Sequence, residues 1–306
     1  MIIENIVVGA GSEFPLNGLL TLPDNLTQAV PAVVMVHGSG PSNMDERVMK
    51  LTPFKDLAEG LAKQGIASLR YDKRTFVHAR KMAKMKGLTV KEETIEDALL
   101  AMDLLRNDSR IDPERIFILG HSMGAMLAPR IDAEGGDARG LILLAGTPFR
   151  LEEIVLRQLK QANYRNPLLK RIIAMESRIY TKKFSNLYQL NDDEARKQKF
   201  AGNLSLYYFK EMGQKTASEY LLENRKPVLI LQGGRDFQVL PDEDYRRFQE
   251  ELAQRENTSF KLYPELNHCF VQAIQDDITK ASKEYGNERH IGEDVIEDIA
   301  DFIRHS

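Results

Sequence analysis

The sequence has almost no cysteine, no strong excess of one charge and no long hydrophobic run. Cys269 is its single cysteine, which excludes an intramolecular disulfide bond. The net charge of −3 gives no case for nucleic acid or an anionic membrane as a partner. No apolar stretch approaches the roughly 18 residues that span a bilayer, and no basic region precedes Glu4 as in a signal peptide. These absences predict a cytoplasmic protein.

The chain does contain apolar, β-branched runs that alternate with helical patterns. A continuous run such as 32–36 is typical of a strand buried on both faces of a parallel sheet. Strands are predicted at 2–8, 17–22, 32–36, 66–71, 115–119, 141–146, 228–234 and 259–263. Helices are predicted at 53–64, 94–106, 245–254 and 293–304. The pattern predicts an α/β fold with three layers and a mostly parallel sheet.

The alternation stops between residues 147 and 226, where helical segments are predicted at 151–162 and 168–180. A segment of this length is far too long for an ordinary connection between two strands. We therefore expect an α/β core formed by residues 1–146 and 227–306, with residues 147–226 as a helical cap over the carboxyl edge of the sheet. The cap would carry 16 basic and 9 acidic residues against 26 and 36 in the core. This asymmetry favours docking of the cap and, more weakly, anionic substrates. A helical cap also offers a surface for homodimer contacts.

The pentapeptide Gly120-His121-Ser122-Met123-Gly124 lies between a predicted strand and a predicted helix. In that context the pattern G-x-S-x-G forms a nucleophile elbow, which exposes a serine hydroxyl at the end of a strand. Glycine is needed at both flanks because the two backbones pass close to the serine. Ser122 is therefore the candidate nucleophile.

A serine hydroxyl needs a base to take its proton and a third group to orient that base. Asp236 follows the strand at 228–234, and His268 follows the strand at 259–263. The chain order Ser122, Asp236, His268 is the order found in α/β-hydrolases. We predict that these three residues form a catalytic triad.

Other acids and histidines are weaker candidates. Asp72 follows the strand at 66–71, which we expect beside the elbow, but a structural role under the site suits it better. Asp242 and Asp244 precede a helix and resemble a capping stretch. Five histidines remain. His37 and His121 lie in glycine loops, His78 lies in a stretch rich in lysine and arginine, and His290 and His305 lie near the carboxyl terminus.

Acyl transfer also needs N–H donors for the developing oxyanion. We expect the backbone N–H of Met123 and that of Ser39, with Gly40 as the alternative for the second. The loop at 37–40 lacks the pattern of a phosphate-binding loop, and no residue grouping has metal-ligand spacing, so no cofactor or metal is expected. The substrate pocket is predicted to involve His37, Gly38, Gly40, His121, Tyr207 and Tyr208.

Two further features favour structural interpretations. Seven Lys or Arg residues and no acid lie between Lys73 and Lys91, as in a solvated loop or helix face. Cys269 is expected to be a small buried residue. The cap aromatics could line an aryl pocket, although packing explains them more often. They are Phe149, Tyr164, Tyr180, Phe184, Tyr188, Tyr207, Tyr208 and Phe209.

The chain resembles the α/β-hydrolase serine esterases, in particular capped bacterial carboxylesterases similar to feruloyl (cinnamoyl) esterases. The resemblance rests on five motifs: His37 to Pro41 with Asp45-Glu46, Leu69 to Arg74, Gly120 to Gly124, Gln232 to Asp236, and Asn267-His268. It implies Ser122 as nucleophile, Asp236 as orienting acid, His268 as base and acid, and the N–H groups of Ser39 and Met123 as oxyanion hole.

The leading hypothesis is a serine hydrolase that cleaves carboxylic esters through an acyl-enzyme on Ser122, with short-chain, aryl or hydroxycinnamoyl esters as substrates. The same triad could serve a thioesterase or a peptidase. A non-catalytic protein that binds a small molecule on this fold is the alternative from a different class. Turnover of p-nitrophenyl esters distinguishes a hydrolase from a binding protein.

Overall fold

The structure, a computed structural model, describes residues 1–24, 26–162, 166–202 and 204–306. Its strands are β1 (Ile2–Val8), β2 (Leu16–Leu22), β3 (Val30–Val36), β4 (Ala67–Tyr71), β5 (Ile111–His121), β6 (Leu141–Leu144), β7 (Lys199–Ala201), β8 (Leu204–Ser205), β9 (Val228–Gly233) and β10 (Thr258–Tyr263). Eight of them form one sheet in the order β1-β2-β4-β3-β5-β6-β9-β10, and β7 and β8 pair separately.

The sheet is mostly parallel, as the sequence predicts. Strands β4, β3, β5, β6, β9 and β10 pair in parallel, whereas β1 and β2 are antiparallel to their neighbours. One predicted neighbour is wrong: β3 lies between β4 and β5, so Asp72 does not follow a strand beside the elbow. The physical reason is that the chain crosses over β3 on its way from β4 to β5, and strand order is not encoded in a local pattern.

The helices are α1 (Pro53–Lys63), α2 (Arg74–Val77), α3 (Ala79–Met82), α4 (Glu96–Arg106), α5 (Met123–Ile131), α6 (Leu151–Gln161), α7 (Pro167–Phe184), α8 (Asp192–Lys197), α9 (Leu206–Met212), α10 (Ala217–Glu223), α11 (Arg246–Glu251), α12 (Ala281–Glu284) and α13 (Glu293–His305). Single turns of π-helix span Lys91–Ile95, Asp132–Gly136 and Pro241–Tyr245, and 3₁₀ turns span Leu187–Gln189 and Ile278–Lys280. All four predicted core helices are present, with ends that differ by a few residues. Gly65 follows the end of α1 with φ +82°, which glycine adopts readily.

Two hydrophobic cores lie on opposite faces of the sheet, because successive side chains of a strand point to opposite sides. In β5, Ile116 and Ile118 join the core covered by α4, α5 and α11, whereas Phe117 and Leu119 join the core covered by α1 and α13. The sheet and the helices on its two faces are three layers, and together they form the α/β-hydrolase architecture. They hold the carboxyl ends of β3, β5, β9 and β10 at one edge of the sheet.

Helices α6 to α10 and the β7–β8 pair all lie between β6 and β9. The predicted helices at 151–162 and 168–180 correspond to α6 and α7, and Tyr164 lies outside the described residues. Asn166 caps α7 by accepting hydrogen bonds from the N–H groups of Leu168 and Leu169. Within the described residues, no helix is long and apolar enough to cross a membrane.

The basic segment differs from its prediction at its first two residues. Lys73 and Arg74 are buried, with 2% and 4% exposure, although the sequence predicts a solvated stretch. Lys73 pairs with Glu93, and Arg74 pairs with Glu96 and Asp97. These acids come from the turn and helix that follow the basic segment, so the compensating charges are not visible within the segment itself.

Candidate active site

Ser122 lies in the tight turn between β5 and α5. Its backbone has φ +54° and ψ −118°, a strained conformation that costs on the order of 1–3 kcal/mol and is found mainly at functional sites. The flanking glycines make this turn possible. A Cβ at Gly120 would overlap the backbone of Gly124, and a Cβ at Gly124 would overlap the carbonyl oxygen of Val36.

The structure brings Asp236 and His268 into contact at the ends of β9 and β10. Asp236 Oδ2 lies 2.6 Å from His268 Nδ1, and both residues are buried. Asp236 Oδ1 accepts hydrogen bonds from the N–H groups of Gln238 at 2.7 Å and Val239 at 3.0 Å. These bonds fix the carboxylate, so it can hold the imidazole ring in one orientation and one tautomer.

Ser122 and His268 line one cavity of about 390 Å³, here called the serine cavity, together with Ser39, Met123, Gln158 and Cys269. Ser122 and His268 form no hydrogen bond with each other in the described part of the chain. Such bonds are often long before a substrate tightens the geometry. Cys269 is buried as expected, with 1% exposure.

The predicted oxyanion donors are the backbone N–H groups of Ser39 and Met123. Met123 begins α5, so its N–H has no partner within the helix. Among the described residues, neither N–H group donates a hydrogen bond to the protein. Ser39 and Met123 line the serine cavity and also a second cavity, which places both residues at the boundary between the two.

The second cavity, here called the apolar chamber, has a volume of about 380 Å³. Its walls are mainly hydrophobic and come from the core and from the segment between β6 and β9: Met82, Leu88, Leu151, Val155, Leu204, Tyr208 and Phe209. Leu151 and Val155, on α6, line both cavities. Unlike the serine cavity, the apolar chamber is not lined by His268.

The predicted pocket residues have different positions. Gly38 and His121 line the serine cavity, whereas Gly40 and Tyr208 line the apolar chamber. His37 lies in the wall of neither cavity, since it is buried with its ring 5.2 Å from that of Phe54. Burial lowers its pKa to about 4, despite the opposing charge of Glu46. Tyr207 also lines neither cavity, and its ring packs against Arg196.

A buried pair of Glu46 and His121 supports the loop and the elbow, a role that the sequence does not indicate for Glu46. Glu46 Oε1 accepts a hydrogen bond from the Gly38 N–H at 2.6 Å, and Oε2 lies 3.0 Å from His121 Nδ1. His121 Nε2 donates to the carbonyl oxygen of His268 at 2.8 Å. The pair thus connects the loop after β3 to the loop that carries His268. The motif Asp45-Glu46 was the only signal for it.

The alternative acids contact other groups. Asp72 accepts a hydrogen bond from the Met44 N–H at 2.8 Å, which supports the loop after β3. Asp244 is buried and contacts Thr147 and Arg157, so it joins the start of the segment after β6 to the core. Burial raises the pKa of Asp244, while Thr147 and Arg157 oppose that rise. Neither carboxylate contacts His268.

Comparisons with known proteins agree with this fold. Esterase EstD of Thermotoga maritima is 35% identical over 285 residues, which are 93% of this chain and 64% of EstD. The chain thus spans slightly less than two thirds of the length of this curated relative.

Two solved structures show the same architecture at low identity. Est1E of Butyrivibrio proteoclasticus is 16% identical with a TM-score of 0.57, covering 98% of this chain and 99% of Est1E. The Pyrococcus furiosus esterase Pf2001 is 14% identical with a TM-score of 0.57, covering 99% and 91%. At such identities the likeness shows the fold alone.

A family model described as serine aminopeptidase, S33, matches residues 28–273. The match includes the elbow, the loop after β3 and the ends of β9 and β10, which together contain Ser122, Asp236, His268 and the predicted oxyanion donors. The chain therefore belongs to this family of α/β-hydrolases.

Proposed function

We propose that the protein hydrolyses carboxylic esters through an acyl-enzyme on Ser122. One observation carries the proposal: Ser122, on a strained elbow, shares a cavity with His268, whose Nδ1 lies 2.6 Å from Asp236 Oδ2. The 35% identity to Esterase EstD supports ester chemistry.

In the proposed mechanism, Asp236 accepts the Nδ1 proton of His268 in a hydrogen bond, so Nε2 carries the free lone pair. Nε2 takes the proton of Ser122 Oγ as Oγ attacks the ester carbonyl carbon. The N–H groups of Ser39 and Met123 stabilise the resulting oxyanion. His268 then returns the proton to the leaving alkoxide, and a water molecule releases the acid by the same steps in reverse.

The two cavities suggest how an ester would lie. His268 must reach the leaving oxygen, and it lines the serine cavity, so we propose that the alcohol part occupies this cavity. The acyl part would then enter the apolar chamber on the other side of the oxyanion donors. Hydrophobic walls favour a short aliphatic or aryl acyl group. Est1E, which has been solved with ferulic acid bound, shares the fold, which supports testing hydroxycinnamate esters.

A fluorophosphonate probe tests the proposal directly. We expect the wild type to be labelled on Ser122 and the variant Ser122→Ala to remain unlabelled, with His290→Gln, which lines neither cavity, as a labelled control. Steady-state turnover is then compared across p-nitrophenyl esters, hydroxycinnamate esters, thioesters and aminoacyl amides. Absence of labelling of the wild type would indicate a binding protein. Faster turnover of thioesters or amides than of esters would favour the thioesterase or the peptidase.

We also propose that residues 147–226 act as a cap, since α6 and α9 supply walls of both cavities or of the chamber. An exposed apolar face on α7 supports a homodimer formed through this cap: Leu168, Ile172, Met175 and Ile179. Light scattering after size exclusion tests the dimer, and Met175→Lys should yield monomers if the dimer forms through α7.

The single cysteine supports a cytoplasmic location. We propose small esters as partners, with no role for nucleic acid or membrane.

A further inference from the structure

Lys73 is a buried lysine directly behind the loop that carries Ser39. Its side chain is 2% exposed. The ammonium group donates a hydrogen bond to the carbonyl oxygen of Gly38 at 2.9 Å and lies 2.8 Å from Glu93 Oε1. Burying an ammonium group is costly unless it is paired, so this arrangement requires both partners.

The Gly38 carbonyl and the Ser39 N–H belong to the same peptide unit. A trans peptide is planar, and its C=O and N–H bonds point in opposite directions. A hydrogen bond that fixes the carbonyl on Lys73 therefore fixes the Ser39 N–H on the opposite side, where Ser39 lines both cavities. A positive charge at the carbonyl also polarises the amide and makes the N–H a stronger donor.

The neighbouring peptide unit is held as well. Glu46 accepts a hydrogen bond from the Gly38 N–H at 2.6 Å, so Gly38 is held at its N–H by a carboxylate and at its carbonyl by an ammonium group. Rotation of the Gly38–Ser39 peptide plane would break the bond to Lys73. The loop is thus preorganised before any substrate binds.

Lys73 is in turn connected to the proposed cap. Glu93 Oε2 accepts a hydrogen bond from the Tyr208 hydroxyl at 2.6 Å, and Tyr208, on α9, is a wall of the apolar chamber. Glu93 and Tyr208 are both buried. Direct contacts therefore connect Tyr208 to Glu93, Glu93 to Lys73, and Lys73 to the Gly38–Ser39 peptide.

We propose that Lys73 is a positioning residue that orients and polarises the Ser39 N–H for oxyanion binding, and that Glu93 and Tyr208 hold Lys73 in place. This inference rests on the proposed function. It makes Lys73 act through a backbone amide, without touching the substrate. A purely structural lysine would affect stability and leave the relative affinity for the oxyanion unchanged.

The test compares wild type with Lys73→Met/Glu93→Gln, which removes the cation together with its buried partner. A trifluoromethyl ketone with an apolar acyl chain serves as the probe, because its adduct with serine carries an oxyanion. We expect its inhibition constant to rise about 10- to 100-fold and kcat to fall in parallel, with KM changed less than about threefold. The matched control is Lys226→Met/Asp132→Asn. It removes the ion pair between Lys226 Nζ and Asp132 Oδ1, which lie 2.8 Å apart, and Lys226 precedes β9.

The control variant should keep wild-type inhibition even if its stability falls. Glu93→Gln alone, which retains Lys73, provides a milder variant should the double variant not fold, and we expect a smaller loss of affinity for the ketone in the same direction. Unchanged affinity for the ketone in a folded Lys73→Met/Glu93→Gln protein, or in Glu93→Gln, would overturn the role of Lys73 and leave the esterase proposal intact. A wild type that neither turns over esters nor binds the ketone would overturn both.

Discussion

Asp236 and Asp72 both follow core strands, and their hydrogen bonds separate their roles. Asp236 faces His268 Nδ1, whereas Asp72 holds the Met44 N–H. We expect Asp236→Asn to lower kcat on the order of 10⁴-fold, because an amide nitrogen opposite Nδ1 favours the wrong tautomer. Asp72→Asn should lower it less than about tenfold. Steady-state kinetics on one p-nitrophenyl ester decides, and equal losses in the two variants would contradict the assignment of the triad.

The Glu46–His121 pair makes stability depend on pH. Burial opposes charge on both residues, but the negative charge of Glu46 raises the pKa of His121 above 6.5, and the positive charge of His121 lowers that of Glu46 below 4.5. The contribution of His121 is complete below about pH 6.5 and is lost as the pH rises through its folded pKa. The contribution of Glu46 is complete above about pH 4.5 and is lost as the pH falls through its folded pKa.

Both contributions are therefore complete between about pH 4.5 and 6.5. We expect the free energy of unfolding of the wild type to exceed that of Glu46→Gln/His121→Gln most in this window. The difference should shrink as the pH rises above the folded pKa of His121. Urea unfolding of both proteins at about pH 5.5, 7 and 9 measures it. A difference that stays constant with pH would show that the pair is not charged.

Sequence reasoning reaches Ser122, Asp236 and His268 because each follows a recognisable strand in a known order. It does not reach Lys73 or Glu46, whose roles depend on long-range partners. Lys73 lies 20 residues before Glu93 and 35 after Gly38, and in the sequence it looks like the start of a solvated basic stretch. Burial of a charge can be inferred from a local pattern only when its partner lies within that pattern.

At the scale of elements, α9 presents neighbouring aromatic residues to different surroundings. Phe209 lines the apolar chamber, whereas the ring of Tyr207 packs against Arg196. We expect Phe209→Ala to enlarge the chamber and shift the kcat/KM optimum toward longer acyl chains. Tyr207→Ala should leave the profile unchanged. A panel of p-nitrophenyl esters of increasing acyl length provides the measurement, and the same profile in Phe209→Ala would remove this helix from the acyl site.

Element positions follow from the sequence where the period of the pattern is strong. The buried strands at 32–36 and 228–234 are found as β3 and β9 within two residues of their predicted ends. The starts of helices are predicted less accurately than the ends of strands. The helix predicted to begin at residue 94 is preceded by the π-helical turn Lys91–Ile95, in which Glu93 is buried. Placing β4 beside β5 failed because strand order is decided by crossovers that several topologies would satisfy.

At the scale of the whole molecule, the excess of basic residues in 147–226 predicts electrostatic docking on an acidic core. The structure shows individual ion pairs between this segment and the core. Arg157 of the segment pairs with Glu243 and Asp244 of the core, but Arg130 of the core pairs with Glu211 of the segment. Specific ion pairs therefore connect the proposed cap to the core, and two of them, Arg157–Asp244 and Arg130–Glu211, are largely buried.

Arg157 is the clearest of these connections, because it joins α6 to a fully buried Asp244 and α6 supplies Leu151 and Val155 to both cavities. We expect Arg157→Met to lower the free energy of unfolding by about 3 kcal/mol, since it leaves a buried carboxylate without its cation. Because α6 would be held less firmly, KM for longer acyl esters should rise more than kcat falls.

Arg157→Met/Asp244→Asn should recover more than half of that stability, because the buried charge is removed as well. Lys215→Met is the control. Its pair with Glu223 lies within the segment on the surface, and such exposed pairs contribute little. Urea unfolding and KM are measured for all three variants. If Arg157→Met behaves like Lys215→Met, the Arg157–Asp244 pair does not hold α6 on the core, and the walls of both cavities do not depend on it.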